Sequence, residues 1–69
     1  MAESYYKIVE LIGASDVSWE AAARGVVEEA AKSLKDLRIG EVTKLDMKME
    51  NGKVAMFRAR VSVSFKYHS

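Results

Sequence analysis

Residues able to do chemistry fall in three places in this chain. Ser15, Asp16 and Ser18 in "ASDVSWE" offer two hydroxyls and a carboxylate, the raw material of a nucleophile cluster. Such a cluster needs a base, and the only histidine is His68 near the C-terminus, so the three read as turn and helix-cap residues. Arg58, Arg60 and Lys66 share even parity within "FRARVSVSFK", which puts them on one face of a strand. That basic stripe is solvated, paired at an interface, or anion-binding. Arg38, Ile39 and Gly40 in "SLKDLRIGEV" stand where a helix hands over to a strand, and either connect the two or line a contact or pocket.

Nothing else in the composition supports an enzyme. There is no His-based triad, no Gly-rich phosphate loop and no isolated carboxylate pair on a defined face. The absence of cysteine removes disulfides and thiolate metal sites together. Eleven basic and ten acidic residues give a formal charge of +1, too little to draw nucleic acid or anionic lipid. An RNA-binding sheet would need aromatics exposed between basic residues, and the basic stripe here alternates with serine. "MAESYYKIVE" does not read as a secretory signal, and no run approaches the roughly 20 apolar residues of a membrane span. A soluble cytoplasmic protein with no nucleic-acid or membrane partner is the expectation.

The elements that must position these residues follow from periodicity. "YYKIVELIG", Tyr5 to Gly13, is β-branched and aromatic and ends in a turn signal, so it reads as a strand. Ile8, Val9, Leu11 and Ile12 put apolar groups on both of its faces, as in a strand covered on both sides. From Ser18 to Leu37 the period becomes helical, with Trp19, Ala23, Val26, Val27, Ala30, Ala31, Leu34 and Leu37 on one stripe. Ser18 is the expected N-cap, Glu20–Arg24 and Glu28–Lys32 are i,i+4 pairs, and Gly40 is the expected stop. Trp19, in the first turn, is expected to pack against the sheet or a neighbouring subunit.

Two strands follow, around "ENGK", and Met47, Met49 and Met56 read as core or contact fillers. In the last strand, Lys53 to Lys66, Ala55, Phe57, Ala59, Val61, Val63 and Phe65 share a face. Leu45 and Met47 form the apolar row of its neighbour. A two-residue Asn51-Gly52 turn would put the two apolar rows on opposite faces. A three-residue loop, Glu50-Asn51-Gly52, brings them together by pairing Met47 with Ala55, and is the predicted turn. It leaves Asp46 diagonal to Arg58, within reach of an ion pair, and the parity of Val42 and Leu45 allows a bulge between them.

The resulting architecture is α+β, a β-α-β-β antiparallel sheet with one helix on one face, residues 1–69 forming a single domain. A 20-residue helix spans about 30 Å and the last strand about 46 Å. One helix cannot cover that strand, and nothing covers the other face. A chain this short buries only about 60% of its unfolded surface. With disulfides and metal excluded as staples, a second copy is the remedy left.

Taken together, "YKIVELIGAS", "SWEAA", "LKDLRIGEV" and "FRARVSVSFK" resemble the dodecin family across Tyr5 to Lys66. The resemblance implies a three-stranded antiparallel sheet wrapped around one helix, assembled as a hollow homododecamer. It further implies a non-enzymatic protein that binds flavin (riboflavin, FMN or FAD) in pairs at subunit contacts, for storage or sequestration. In that family a tryptophan just after the helix stacks on the flavin ring and a glutamine on the last strand hydrogen-bonds its edge. Those places fall at Ile39, with Arg38 beside it, and at Arg58, making these three the candidate ligand residues. Isoleucine offers no aromatic face, and arginine brings a charge that a neutral ring does not require. "SWEAA", "RIGEV" and "RVSVSFK" resemble a branch of dodecin-like proteins without that tryptophan, in which calcium association occurs. No Asp/Glu cluster at loop spacing marks a calcium site. The alternative to flavin sequestration is thus a non-flavin dodecameric shell that binds metal ions or is structural.

Overall fold

Four elements appear in the order expected. The computed structural model describes residues 3–67, so His68 lies outside the described residues. Strand β1 covers Tyr6–Ser15, helix α1 Trp19–Ala30, β2 Leu37–Glu50 and β3 Lys53–Lys66. The sheet order is β1-β3-β2 with both pairings antiparallel, and α1 lies across one face.

The helix stops seven residues before the expected Leu37. Ser18 caps it, its side chain accepting from the Ala21 amide, and the ladder ends at Ala30. Lys32 and Ser33 then bond back to Glu29 and Ala30 in a tightened last turn. Asp36, at φ 60°, reverses the chain. Asp tolerates the left-handed region better than most residues, so it does the work expected of Gly40. The apolar period runs on through Leu34 and Leu37 because the turn and the first strand residue face the same core as the helix. Lys32, now beyond the helix, pairs with Glu29 at 3.1 Å rather than with Glu28. Arg38, Ile39 and Gly40 are strand residues.

The hairpin reaches the expected face by a different route. Asn51 and Gly52 both have positive φ, 52° and 75°, and Glu50 pairs with Lys53. This is the two-residue turn, which corrects the predicted three-residue loop: Asn-Gly suits two consecutive left-handed positions, and their twist matches the strands. Parity is restored instead by a bulge in β3. Met49 faces Val54, Lys48 faces Met56, and Ala55 is the extra residue. Met47 therefore meets Phe57 and Leu45 meets Ala59, so the apolar rows coincide as required. A second irregularity between Val42 and Lys44 leaves Thr43 unpaired in the ladder, where the parity change allowed a bulge.

Ala59, Val61 and Val63 on β3 and Ala22 on α1 form the buried core, with Val9, Leu11, Val26, Val27 and Leu37 packed against it. Ala22 lies outside the stripe read from sequence, which took the neighbouring Ala23 instead; the helix is turned so that Ala22 is buried and Ala23 only partly so. The Ala22 carbonyl approaches β1 so closely that a Cβ on Gly13 would overlap it and would sit 2.9 Å from the Val26 Cβ. Gly13 is what lets α1 settle onto the sheet. Trp19 closes one end of the core, edge-on to Phe57 at 5.1 Å, with its indole Nε1 donating to the Asp46 carbonyl at 3.0 Å.

The shape is elongated. A 12-residue helix covers about 18 Å, whereas the 14-residue strands β2 and β3 each span about 46 Å. The radius of gyration is 14.4 Å, against about 11 Å for a compact chain of this size. Leu45, Met47 and Met49 therefore stay about half exposed beyond the helix.

Candidate functional site

Strand register sorts the candidate residues into cross-strand rows on the face away from α1. Reading β1, β3, β2 in turn, Ile8, Ser64 and Ile39 form one row, and Glu10, Ser62 and Glu41 the next. Ile12, Arg60 and Lys44 follow, then Ala14, Arg58 and Asp46. On the other side of the isoleucine row Tyr6 pairs with Lys66.

A depression of about 290 Å³ opens at the first row, lined by Tyr6, Ile8, Arg38, Ile39 and Ser64. Ile8 and Ile39 are 69% and 66% exposed, which leaves the floor apolar and open. Arg38 is the extra residue where β2 shifts register between Leu37 and Ile39, and it borders the depression. Lys66 sits over the Tyr6 ring at 5.6 Å and donates to Ser4 Oγ at 2.8 Å. A larger hollow of about 460 Å³ follows the solvent ridge of α1 beside Gly25. No second element faces it, so the sheet-side depression is the better candidate.

Two of the three candidate residues, Ile39 and Arg38, are thus brought together, and the third is not. Arg58 stands six residues along β3 from Ser64, about 20 Å away within the protomer. Its Nε and Nη2 donate to the two carboxylate oxygens of Asp46 at 2.7 and 3.1 Å. The residues face each other directly rather than diagonally, because the register differs from the one predicted. Arg58's hydrogen bond to Asp46 holds that carboxyl below its usual range; partial desolvation opposes it, and the charges of Arg58, Lys44 and Arg60 add to it. The same hydrogen bond raises Arg58 further. Arg58 is committed to its neighbour strand.

This arrangement does not fit a stacked flavin. Ile39 has no ring, the Tyr6 ring already carries a cation, and Arg58 is occupied at a distance. A calcium ion wants six to eight oxygens. Among the described residues no group of three or more His, Cys, Asp or Glu side chains gathers. A protomer's described residues therefore do not enclose such an ion. Nor, among them, is any helix long and apolar enough to cross a membrane.

Sequence reasoning missed Tyr6, Ile8 and Ser64 as lining. They join Ile39 only through the register of β1 and β2 on β3, which no local spacing encodes. The one signal available was the apolar excess on both faces of β1.

Comparison with known proteins follows the same lines. The family model described as Dodecin matches residues 5–68. The calcium dodecin of Mycobacterium tuberculosis is 38% identical over 63 residues, covering 91% of this chain and 89% of that protein. Its crystal structure, that of a calcium-chelating immunodominant antigen with a novel calcium-binding site, superposes with a TM-score of 0.83 at 39% identity, covering 94% and 93% of the two chains. The dodecin of Streptomyces coelicolor superposes with a TM-score of 0.91 at 28% identity over 100% of this chain and 99% of the other. With its β-α-β-β topology and a match over nearly its whole length, the chain belongs to the dodecin family.

Proposed function

We propose that this chain is a non-catalytic, small-ligand-binding protein that works as a self-assembled hollow shell, a homododecamer of the dodecin kind. The observation that carries the reading is the uncovered sheet. Among the described residues twelve large apolar side chains stand exposed, with Ile8, Ile12 and Ile39 on the outer face and Leu45, Met47, Met49 and Val54 toward the overhanging hairpin. Apolar patches of this extent mark association surfaces. Ile39 and Arg38 belong to the ligand- or copy-facing depression, and Arg58 acts as a structural partner of Asp46.

Flavin is the ligand the family resemblance implies, and Ile39 argues against the stacked mode. Calcium is the second reading, favoured by the 38% identical relative that bears the ion's name. Its oxygens would come from several copies, since the described residues of one copy supply no cluster.

Light scattering with ligand titration tests the proposal. The expected mass is many times the 7.7 kDa of the chain, and a mass near 7.7 kDa defeats the shell reading. Riboflavin should keep its fluorescence when the wild-type protein is added in excess, and Ile39→Trp should begin to quench it. An aromatic stack is worth about 1–3 kcal/mol, so that substitution should gain roughly tenfold to a hundredfold in affinity. Calcium chloride should raise the midpoint of thermal unfolding if the ion is the ligand, and a midpoint unmoved by calcium removes that reading.

A further inference from the structure

Asn51 carries the only side-chain amide in the chain, which has no other asparagine and no glutamine. It stands immediately before Gly52 at the tip of the β2–β3 hairpin, and both residues are exposed. A Cβ built on Gly52 would meet nothing within 4 Å, so no neighbouring group crowds this part of the turn.

Asparagine before glycine can react with its own backbone. The Gly52 nitrogen attacks the Asn51 side-chain carbon Cγ, and the new C–N bond closes a five-membered imide. The bond from Cγ to the carboxamide nitrogen breaks, and that nitrogen leaves as ammonia, taking up the proton lost from the Gly52 amide. One water then opens the imide at either carbonyl. Breaking the bond to Cγ gives an aspartyl residue, and breaking the bond to the backbone carbonyl gives an isoaspartyl one. Neither route needs an oxidant or a reductant.

The folded turn opposes the first step. With φ 52° and 75° and Glu50 opposite Lys53, it is the mirror image of a type I turn, whose first central residue has ψ of about 30°. Ring closure needs the Gly52 nitrogen eclipsed with the Asn51 Cβ, and at that ψ the two lie nearly on opposite sides of the Cα–C bond. The tip must therefore open before the reaction begins. Its last two rungs, Glu50–Lys53 and Met49–Val54, lie beyond the reach of α1 and are set apart from the rest of the hairpin by the extra residue Ala55. Such an end opens at a small fraction of the global unfolding cost.

We infer that Asn51–Gly52 is a site of spontaneous deamidation gated by opening of the hairpin tip, with two products of opposite structural consequence. The aspartyl product keeps the backbone, and Asp-Gly suits the same turn. It adds a negative charge beside Glu50, whose carboxylate already pairs with Lys48 at 3.4 Å. The isoaspartyl product routes the main chain through the side-chain carbon and lengthens a two-residue loop by one atom. The bulge at Ala55 compensates for a two-residue turn, so the lengthened loop no longer closes Glu50 onto Lys53.

The test follows the intact mass of the full chain during incubation in mildly alkaline buffer. No side chain but Asn51 can exchange NH2 for OH and release ammonia. When opening is fast relative to reaction, the rate follows the population of the open tip. The folded wild type should therefore react at least roughly tenfold more slowly than the chain unfolded in urea. Val54→Gly weakens the last rungs without altering the Asn-Gly pair, and Val54 is 44% exposed and outside the core. It should speed the folded reaction several-fold and leave the unfolded rate unchanged. A folded protein that gains no mass while the unfolded chain does overturns the site. Equal folded and unfolded rates, or a folded Val54→Gly no faster than the wild type, overturn the gating. After chromatographic separation, the aspartyl fraction should share the urea midpoint of Asn51→Asp, and the isoaspartyl fraction should unfold at a lower one. Coincident midpoints overturn the contrast between the two products.

Discussion

The two sides of strand β3 belong to different problems. Its odd residues Ala59, Val61 and Val63 are at most 1% exposed beneath α1. Its even residues from Arg58 to Ser64 lie on a face that no element of the protomer covers. Fully burying a valine side chain contributes about 1.5–3 kcal/mol, so the odd row supplies much of what holds the protomer together. The even row contributes little until something lies against it. One row folds the chain, and the other is available for choosing partners. Substitutions on the helix side should therefore act on stability, and those on the outer side on mass and salt or pH response.

The largest effect that this comparison predicts is at Gly13. Adding one methyl there drives it into the Ala22 carbonyl, a backbone atom that cannot swing aside. Overpacking typically costs 1–3 kcal/mol, and Gly13→Ala should lose about 3 kcal/mol. Urea unfolding at constant protomer concentration measures it as a lower midpoint with an unchanged slope. A loss below about 0.5 kcal/mol, the range of ordinary surface substitutions, would mean that α1 is not seated on β1 as described.

The same contrast explains what could be read in advance. The order of elements follows from the change between strand-like and helical periods, and the full extent of β3 and its buried Ala59, Val61 and Val63 follow from strict alternation; neither needs tertiary knowledge. The ends of α1 do not. Leu34 and Leu37 keep helical spacing because turn and strand residues can serve the same core, and periodicity does not distinguish these uses. The hairpin register failed for a related reason: Met47 had to share a face with β3's apolar row, but loop length and a bulge at Ala55 satisfy that condition equally well. Ile39 and Arg38 were recognisable as a joint from the sequence, whereas their meeting with Tyr6, Ile8 and Ser64 depends on which residues three strands bring side by side. Arg58 could be placed on the right face but not assigned its partner until that register was known.

A smaller effect, on the outer face, should follow pH. Arg58's hydrogen bond depresses the Asp46 carboxyl in the folded chain below its unfolded value of about 3.9. A depressed carboxyl stabilises fully above the unfolded value and loses that contribution as pH falls through the folded one. Arg58 stays charged throughout. Asp46→Asn should therefore lower the unfolding midpoint at neutral pH, and its curve should converge with that of the wild type as pH drops below about 4. Parallel curves across that range would show that the pair contributes through shape rather than charge. Such an outcome would weaken the assignment of the even row to electrostatics.

The smallest effect concerns the one surface that the two-sided comparison leaves aside, the solvent ridge of α1. Gly25 lies mid-helix on that ridge, and a Cβ there meets nothing within 4 Å. Glycine in a helix interior is about 0.8–1 kcal/mol less favourable than alanine, so Gly25→Ala should raise the unfolding midpoint by roughly that stability. If the ridge faces solvent in the assembled protein, light scattering should give the wild-type mass alongside the gain. A gain in protomer stability with a fall in mass would show that neighbouring copies approach across the ridge and need the missing side chain. The helix would then be a third surface with its own partner, and the division of this protein into a folding side and an associating side would have to be redrawn around it.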